Sequence, residues 1–122
     1  MIGLPPTVSI YFCTAPISMR LSFDGLAGLV RNTLALNPLS GHLFLFLSRR
    51  RDKAKLLFWD KDGYALFYKR LEKGRFHAPR VEAGQGAPVA TLAYREMALL
   101  LEGIDLKETR RRKRFTLPNQ AI

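Results

Sequence analysis

The sequence predicts an α+β protein, a small single domain in which an antiparallel sheet of about four strands packs with two helices in the order β-α-β-β-β-α. Three observations support this prediction. Short apolar segments at 42–48, 55–59 and 64–68 are bounded by polar turn residues, a pattern typical of strands. An earlier segment has apolar residues at helical spacing. The length of 122 residues favours one domain with a modest core.

The N-terminal part of the chain supplies the first strand and the first helix. Residues 8–13 are rich in β-branched and aromatic side chains, as expected of a strand. Apolar residues then recur every three or four positions, which predicts an amphipathic helix over about 19–36. Ser18 is the expected N-cap of this helix. Pro38 ends it, because the residue before a proline avoids helical backbone angles.

The three central strands are predicted to form an antiparallel meander with two very different links. Asp62-Gly63 in the second link tolerates positive φ, as a tight hairpin requires. The first link, 48–54, is basic, and so is the segment 69–75 that follows the third strand. The third strand ends beside the end of the first, so the two basic segments are expected to be neighbours.

The segment after the meander is predicted to contain a loop and the second helix. Two prolines and two glycines within 77–90 indicate a loop, with a short extended piece at 80–82. Thr91 is the expected N-cap of a helix over about 92–102, and Gly103 is placed to end it. An antiparallel sheet needs helices on one face only to close a small core.

The end of the chain changes character and is predicted to be a basic tail. The domain is expected to cover 1–105 and the tail 106–122. Five consecutive basic residues at 110–114 repel one another, so the tail is expected to be flexible and disordered in isolation.

The charge of the chain favours a polyanionic partner, nucleic acid above all. There are 20 Lys and Arg against 10 Asp and Glu, which gives a net charge of +10. Guanidinium groups match phosphate oxygens in pairs, and clusters of them release counterions from a nucleic-acid backbone. The predicted nucleic-acid-binding residues form three clusters: Arg49, Arg50, Arg51, Lys53 and Lys55; Lys69, Arg70, Lys73 and Arg75; Lys107, Arg110, Arg111, Arg112, Lys113 and Arg114.

Aromatic residues are interleaved with the basic clusters, and two interpretations of them stay open. They can stack on exposed bases, or they can face the core of the sheet. The residues concerned are Trp59, Tyr64, Phe67, Tyr68 and Phe76.

No catalytic, metal or cofactor site is predicted from the sequence. Asp60 and Asp62 are explained by the hairpin turn, and neither His42 nor His77 has a ligand-spaced partner. Cys13 is the only cysteine, which fits a reducing compartment. Neither a secretory signal nor an apolar run of ~18 residues is seen, so the expected location is the cytoplasm. Association with the nucleoid is left open.

The chain carries a set of short motifs in a fixed order. They are Met1-Ile2-Gly3-Leu4-Pro5, Met19-Arg20, Ser22-Phe23-Asp24-Gly25-Leu26, Pro38-Leu39-Ser40-Gly41-His42-Leu43-Phe44, Trp59-Asp60, Asp62-Gly63, Lys69-Arg70-Leu71-Glu72-Lys73-Gly74-Arg75-Phe76 and Leu99-Leu100-Leu101-Glu102-Gly103-Ile104-Asp105. Over residues 1–105 the chain thereby resembles the small accessory protein, often labelled TnpB, of insertion sequence 66 type bacterial transposons. It departs from that pattern at Arg51, where the family usually has Gly.

The resemblance implies a protein that assists transposition while a separate transposase performs the strand chemistry. We therefore expect a non-enzymatic accessory factor that binds DNA, the transposase, or both. The alternative is a protein-interaction subunit whose basic patch meets an acidic surface of the transposase and never touches DNA. A small metal-dependent nuclease using Asp24 or Asp60 is a third possibility. An edge strand and a small core are compatible with a homodimer.

Overall fold

The computed structural model describes residues 7–79 and 86–102 in full, and the backbone alone at 104–105 and 110–111. Its elements follow the predicted order with one additional strand before the second helix and two short ones after it. They are β1 (Ile10–Cys13), α1 (Phe23–Asn32), β2 (Leu43–Leu47), β3 (Lys53–Asp60), β4 (Gly63–Arg70), β5 (Val89–Leu92), α2 (Tyr94–Glu102), β6 (Ile104–Asp105) and β7 (Arg110–Arg111).

Five strands form one sheet in the order β4-β3-β2-β1-β5. The predicted meander is confirmed, since β2, β3 and β4 are successive antiparallel neighbours. The sheet is not wholly antiparallel, however, because β1 runs parallel to β2. Parallel neighbours need a long crossover, and α1 lies within that connection. The α+β class is confirmed, with a mostly antiparallel sheet of five strands instead of about four.

The first helix is shorter than predicted and begins later. It starts at Phe23, with Ser22 in the N-cap position, and ends at Asn32. The Ser18 hydroxyl instead accepts a hydrogen bond of 3.2 Å from the backbone N–H of Arg20, in a turn that precedes the helix. Ala35, with φ of 58°, takes the chain out of the helical direction.

The second helix also begins later than predicted, because Thr91 and Leu92 belong to β5. Leu92 is buried as part of a strand, although its spacing from later leucines resembles a helical stripe. At the start of α2 the Glu96 carboxylate accepts a hydrogen bond of 2.9 Å from the backbone N–H of Ala93. A Glu side chain that reaches back in this way satisfies one of the N–H groups left unpaired at a helix start.

Some predictions fall on residues that the structure does not describe. These are the extended piece at 80–82, the helix end at Gly103 and most of the tail. Within 104–111 the backbones of β6 and β7 pair as a small antiparallel ladder, with Ile104 opposite Arg111. The division into a domain at 1–105 and a tail at 106–122 stays a prediction.

The core lies on both faces of the sheet, with one helix on each face, whereas the sequence predicted that one face would suffice. The strand β2 explains the difference, since all five of its residues are buried and each face therefore needs a cover. The α1 face contains Cys13, Leu26, Ala27, Val30, Leu34, Phe44, Phe46 and Leu57. The α2 face contains Ile10, Phe12, Leu43, Leu45, Leu47, Ala54, Leu56, Phe76, Leu92, Met97 and Leu100.

Candidate nucleic-acid interface

The hairpin between β2 and β3 forms a tight, hydrogen-bonded loop that we call the arginine tip, residues 48–53. The Ser48 N–H donates to the carbonyl of Lys53 at 3.0 Å, and the Arg51 N–H donates to the carbonyl of Ser48 at 2.9 Å. The Ser48 hydroxyl also donates to the Asp52 carboxylate at 3.1 Å. Arg51 has φ of 60°, a left-handed conformation that favours glycine. The conformation of the tip is thus fixed by backbone hydrogen bonds and by the hydrogen bond between the Ser48 and Asp52 side chains.

A second segment, residues 71–76, lies against the arginine tip, and we call it the bracing loop. The Leu71 N–H donates to the carbonyl of Asp52 at 2.7 Å, and the Phe76 N–H donates to the carbonyl of Arg51 at 2.6 Å. Phe76 is buried in the α2-face core. The structure therefore brings the first two basic clusters together, in agreement with the predicted neighbourhood of the two segments.

Five basic residues of the tip and the bracing loop are exposed, and we call them the basic surface: Arg49, Arg50, Arg51, Lys73 and Arg75. Among the described residues, no ion pair is formed by Arg49, Arg50, Arg51 or Lys73. Like charges held this close raise the local positive potential, which attracts anions. The surface therefore has the charge, the exposure and the guanidinium groups that phosphate binding requires.

The other cations near the tip have partners within the chain. Lys53 lies 3.4 Å from the Asp52 carboxylate, and Arg70 lies 2.8 Å from that of Glu72. The hydrogen bond to Glu72 raises the pKa of Arg70. Lys69 donates a hydrogen bond of 2.9 Å to the carbonyl of Leu101 in the last turn of α2, where a cation is favourable. Lys53, Lys69 and Arg70 border the basic surface, and among them Lys69 connects β4 to α2.

Lys55 is separated from the basic surface, although the sequence predicted it to bind nucleic acid. Its side chain points to the α1 face and is only 5% exposed. The ammonium donates hydrogen bonds of 2.9 Å to the carbonyl of Met19 and 2.6 Å to that of Leu21. It also lies 4.6 Å from the centroid of the Tyr68 ring. Burial lowers the pKa of Lys55. Lys55 is thus engaged in holding the segment before α1.

The third predicted cluster, Lys107 and residues 110–114, lies mostly outside the part of the chain that the structure describes. The backbone of Arg110 and Arg111 forms β7. The side chains of these two residues lie outside the described part of the chain, as do Lys107, Arg112, Lys113 and Arg114. Their assignment to nucleic-acid binding stays a prediction.

The aromatic residues divide between the two interpretations. Phe76 is in the core, and Trp59 and Tyr64 pack edge to face at 5.2 Å between ring centroids. Phe67 and Tyr68 on β4 are 45% and 50% exposed. The exposed pair lies on the outermost strand of the sheet, with the two rings on opposite faces.

The titratable residues considered for catalysis are dispersed. Asp60 and Asp62 lie at the β3–β4 turn, at the end of the sheet away from the arginine tip, and Asp24 is exposed on α1. His42 accepts a hydrogen bond of 3.0 Å from the Ser9 N–H. Within residues 7–79 and 86–102 no three His, Cys, Asp or Glu side chains converge as metal ligands would.

The sequence pattern pointed to the arginines of the basic surface but not to the groups that hold the arginine tip in place. Backbone bonds from Leu71 and Phe76 fix the tip, and no side-chain pattern shows such bonds. Only the spacing of the Lys69–Phe76 motif points to this segment. Among the described residues, no helix is long and apolar enough to span a bilayer.

Comparison with known proteins gives a consistent result. The family model described as IS66 Orf2 like protein matches residues 8–111. The uncharacterized protein y4hO of Sinorhizobium fredii (strain NBRC 101917 / NGR234) is 39% identical over 98 residues, which cover 80% of this chain and 82% of the relative. The uncharacterized protein y4jC of the same strain is 32% identical over 112 residues, which cover 92% of each chain. No solved structure matches.

The family match covers every described helix and strand, from β1 to β7. It agrees with the resemblance that the motifs carry. The chain therefore belongs to the IS66 Orf2-like family, a family of accessory proteins of insertion-sequence transposition.

Proposed function

We propose that this chain is a non-enzymatic accessory factor of transposition that contacts DNA through the basic surface. The observation that supports the proposal most directly is the pair of backbone hydrogen bonds from the bracing loop to the arginine tip. They join cations from two separate segments into one exposed surface. The family supplies the transposition context.

The proposed mechanism is electrostatic. Arg49, Arg50 and Arg51 each present a planar guanidinium, which pairs with two phosphate oxygens at once. Each phosphate that is neutralised releases counterions, so the affinity falls steeply with salt. Because the tip is already held in one conformation, less conformational entropy is lost when DNA binds. Phosphate contacts fix position and orientation, and they do not by themselves read a base sequence.

The proposed role in transposition divides the work between this chain and a transposase. A transposase encoded by the same element would carry out the strand chemistry, and this chain would bind DNA, the transposase, or both. The basic tail, with Lys107 and Arg110 to Arg114, would add affinity that does not depend on sequence. Such a protein would act in the cytoplasm, in association with the nucleoid.

The test compares two triple variants that lose the same charge. Arg49→Ala/Arg50→Ala/Lys73→Ala removes cations of the basic surface. Arg20→Ala/Arg31→Ala/Arg95→Ala removes three exposed cations elsewhere in the fold. Binding to a duplex of the element's terminal inverted repeat and to a scrambled duplex is measured across a salt series. Each lost phosphate contact should reduce the slope of log affinity against log salt by about 0.9.

For Arg49→Ala/Arg50→Ala/Lys73→Ala we expect the slope of log affinity against log salt to become shallower by up to about 2.7. The matched variant at Arg20, Arg31 and Arg95 should change this slope little. Equal losses in both variants would reject the assigned surface. Absence of wild-type binding to either duplex, with copurification of the transposase that survives nuclease treatment, would replace the proposal by the protein-interaction subunit. Metal-dependent cleavage that is abolished by Asp24→Asn or Asp60→Asn would replace it by a nuclease.

A further inference from the structure

The strand β4 is the outermost strand of the sheet, and it is long. It has eight residues, and within the described part of the chain only β3 pairs with it. A long edge strand presents a row of unsatisfied backbone groups that can pair with another strand. The opposite edge of the sheet, β5, has only four residues. β4 is therefore the larger of the two available edges.

The hydrogen bonding of β4 identifies which backbone groups face outward. Leu71, directly after β4, donates its N–H inward to the carbonyl of Asp52. In an antiparallel ladder the inward and outward residues alternate. Leu71 and the odd-numbered residues of β4 therefore bond toward β3. The N–H and C=O groups of Tyr64, Leu66, Tyr68 and Arg70 point to the free edge.

The charges along this edge are arranged asymmetrically. Asp60 and Asp62 flank Lys61 at the turn where β4 begins, which leaves that end net acidic, and Lys69 and Arg70 lie where β4 ends. Two copies of the strand in antiparallel orientation would place the acidic end of each against the basic end of the other. Opposite charges on directly opposed residues stabilise a sheet, whereas like charges destabilise it.

We propose that β4 pairs with β4 of a second copy of this chain, antiparallel, about a two-fold axis through Leu66. In this register Leu66 lies opposite Leu66, Tyr64 opposite Tyr68, and Asp62 opposite Arg70. Tyr64, Leu66, Tyr68 and Arg70 are outward-bonding positions of β4, whereas Asp62 lies in the turn before β4 and donates its N–H to the carbonyl of Asp60. An axis through Phe67 would instead place Tyr64 opposite Arg70, so Arg70 would have no opposed carboxylate within β4 or its turn. The proposal does not depend on the proposed function.

This arrangement also covers exposed apolar surface. Phe67 is 45% exposed in the single chain, and its ring would lie beside Ala65 of the second copy. The two sheets would become one continuous sheet with the α1 helices on the same side. The basic surfaces lie at the far end of β4 in each copy, so they would be at opposite ends of the joined sheet and remain accessible.

The experiment measures the dimer dissociation constant of the full chain by sedimentation equilibrium. A salt concentration of about 0.3 M screens the general repulsion between two basic chains. Asp62→Arg and Arg70→Asp should each raise the dissociation constant about tenfold, because each creates a like-charge pair twice per dimer. The double variant Asp62→Arg/Arg70→Asp should restore the wild-type value. Asp24→Arg, the same charge change on α1, should leave the dimer intact.

A backbone variant tests the hydrogen bonds directly. Tyr68→Pro removes an outward N–H and leaves the ladder with β3 complete, so the monomer should fold. It should be monomeric, whereas Tyr68→Ala, which keeps the N–H, should still dimerise. A wild-type chain that is monomeric throughout, or a dimer that Asp62→Arg weakens no more than Asp24→Arg, would overturn the proposal. If circular dichroism shows that Tyr68→Pro is unfolded, the proposal is decided by the dissociation constants of the Asp62→Arg, Arg70→Asp and double variants.

Discussion

The backbone N–H of Phe76 donates a hydrogen bond of 2.6 Å to the carbonyl of Arg51. The Phe76 side chain is 1% exposed and packs in the α2-face core. A buried aromatic residue on one side of the sheet therefore holds the backbone of an exposed arginine. The geometry of the basic surface depends in this way on core packing. Substitutions in the core around Phe76 should therefore alter the conformation of the arginine tip.

Phe76→Leu should destabilise the chain and loosen the arginine tip. A shape change in a packed core costs up to ~1.5 kcal/mol of unfolding free energy. Amide exchange at Arg51 should also become faster, because the bracing bond loses its anchor. Urea unfolding and amide exchange by NMR measure the two effects. Phe67→Leu, the same change at an exposed position, should stay within ~0.5 kcal/mol of wild type. Equal effects of the two variants would contradict the anchoring role.

Arg51→Gly should stabilise the chain, because the backbone of Arg51 has φ of 60°. Removing the side chain from a left-handed position relieves about 1 kcal/mol, offset in part by the greater freedom of glycine in the unfolded chain. The expected net gain is ~0.5 kcal/mol, read from urea unfolding. Arg50→Gly makes the same chemical change where φ is not positive, and it should destabilise. A loss of stability in both variants would count against strain at Arg51.

The meander was predictable because its signals are local. Apolar segments and turn residues within 42–68 specify three strands and two hairpins regardless of the rest of the chain. Even so, the left-handed residue of the second turn is Lys61, with φ of 57°, and not Gly63 of the Asp62-Gly63 pair. Turn chemistry indicated where the chain reverses but not which residue absorbs the unusual backbone angle.

β5 was missed because its pairing is distant in sequence. Its four residues pair with β1, about eighty positions earlier, and follow a segment rich in proline and glycine. The burial of Lys55 has a similar origin. Lysine is almost always exposed unless it is paired, and the carbonyls that Lys55 binds come from Met19 and Leu21, on a segment that the sequence assigned to the helix. Neither feature has a local signal.

Lys55→Met should reduce stability while leaving DNA affinity unchanged. The variant keeps most of the side-chain volume but removes the donor for the carbonyls of Met19 and Leu21, at a cost of ~1–2 kcal/mol. Amide exchange in the segment before α1 should rise. Lys73→Met, at an exposed position of the basic surface, should show the opposite behaviour: little change in unfolding free energy and weaker DNA binding. Reduced DNA affinity for a folded Lys55→Met chain would return Lys55 to the interface.

The contribution of Asp52 to stability should depend on pH in a defined direction. Burial raises the pKa of Asp52, but the Ser48 hydrogen bond and the charge of Lys53 outweigh it, so the folded pKa is lowered. The unfolded chain therefore binds the proton more readily, and the stabilisation is present above about pH 4 and lost as pH falls through the lower folded pKa.

Asp52→Asn provides the measurement. We expect it to unfold ~0.5–1 kcal/mol more easily than wild type at pH 7. The difference should shrink below about pH 4, where the wild-type carboxylate also becomes protonated. Urea unfolding of both chains from neutral to acidic pH gives the two curves. A difference that stays constant across this range would mean that Asp52 acts through packing and not through its charge.

Cys13 should be almost unreactive in the folded chain. It is 2% exposed, and burial raises the pKa of its thiol. The Sγ also donates a hydrogen bond of 3.3 Å to the carbonyl of Ala15. Attack by a thiol reagent requires both access and the thiolate, so reaction must await local opening. An opening that costs ~3 kcal/mol slows the reaction about a hundredfold relative to the urea-unfolded chain.

The double variant Cys13→Ala/Ser40→Cys moves the single thiol to an exposed loop position and should react at the unfolded rate without denaturant. The rate for Cys13 itself then reports on β5, because Val89 of that strand pairs with Cys13 at the end of β1. The Cys13 side chain lies in the α1-face core, against which Val89 also packs, so its reaction requires that part of the core to open. A native rate equal to that of the exposed thiol would mean that the cover of Cys13 by α1 and β5 is open most of the time.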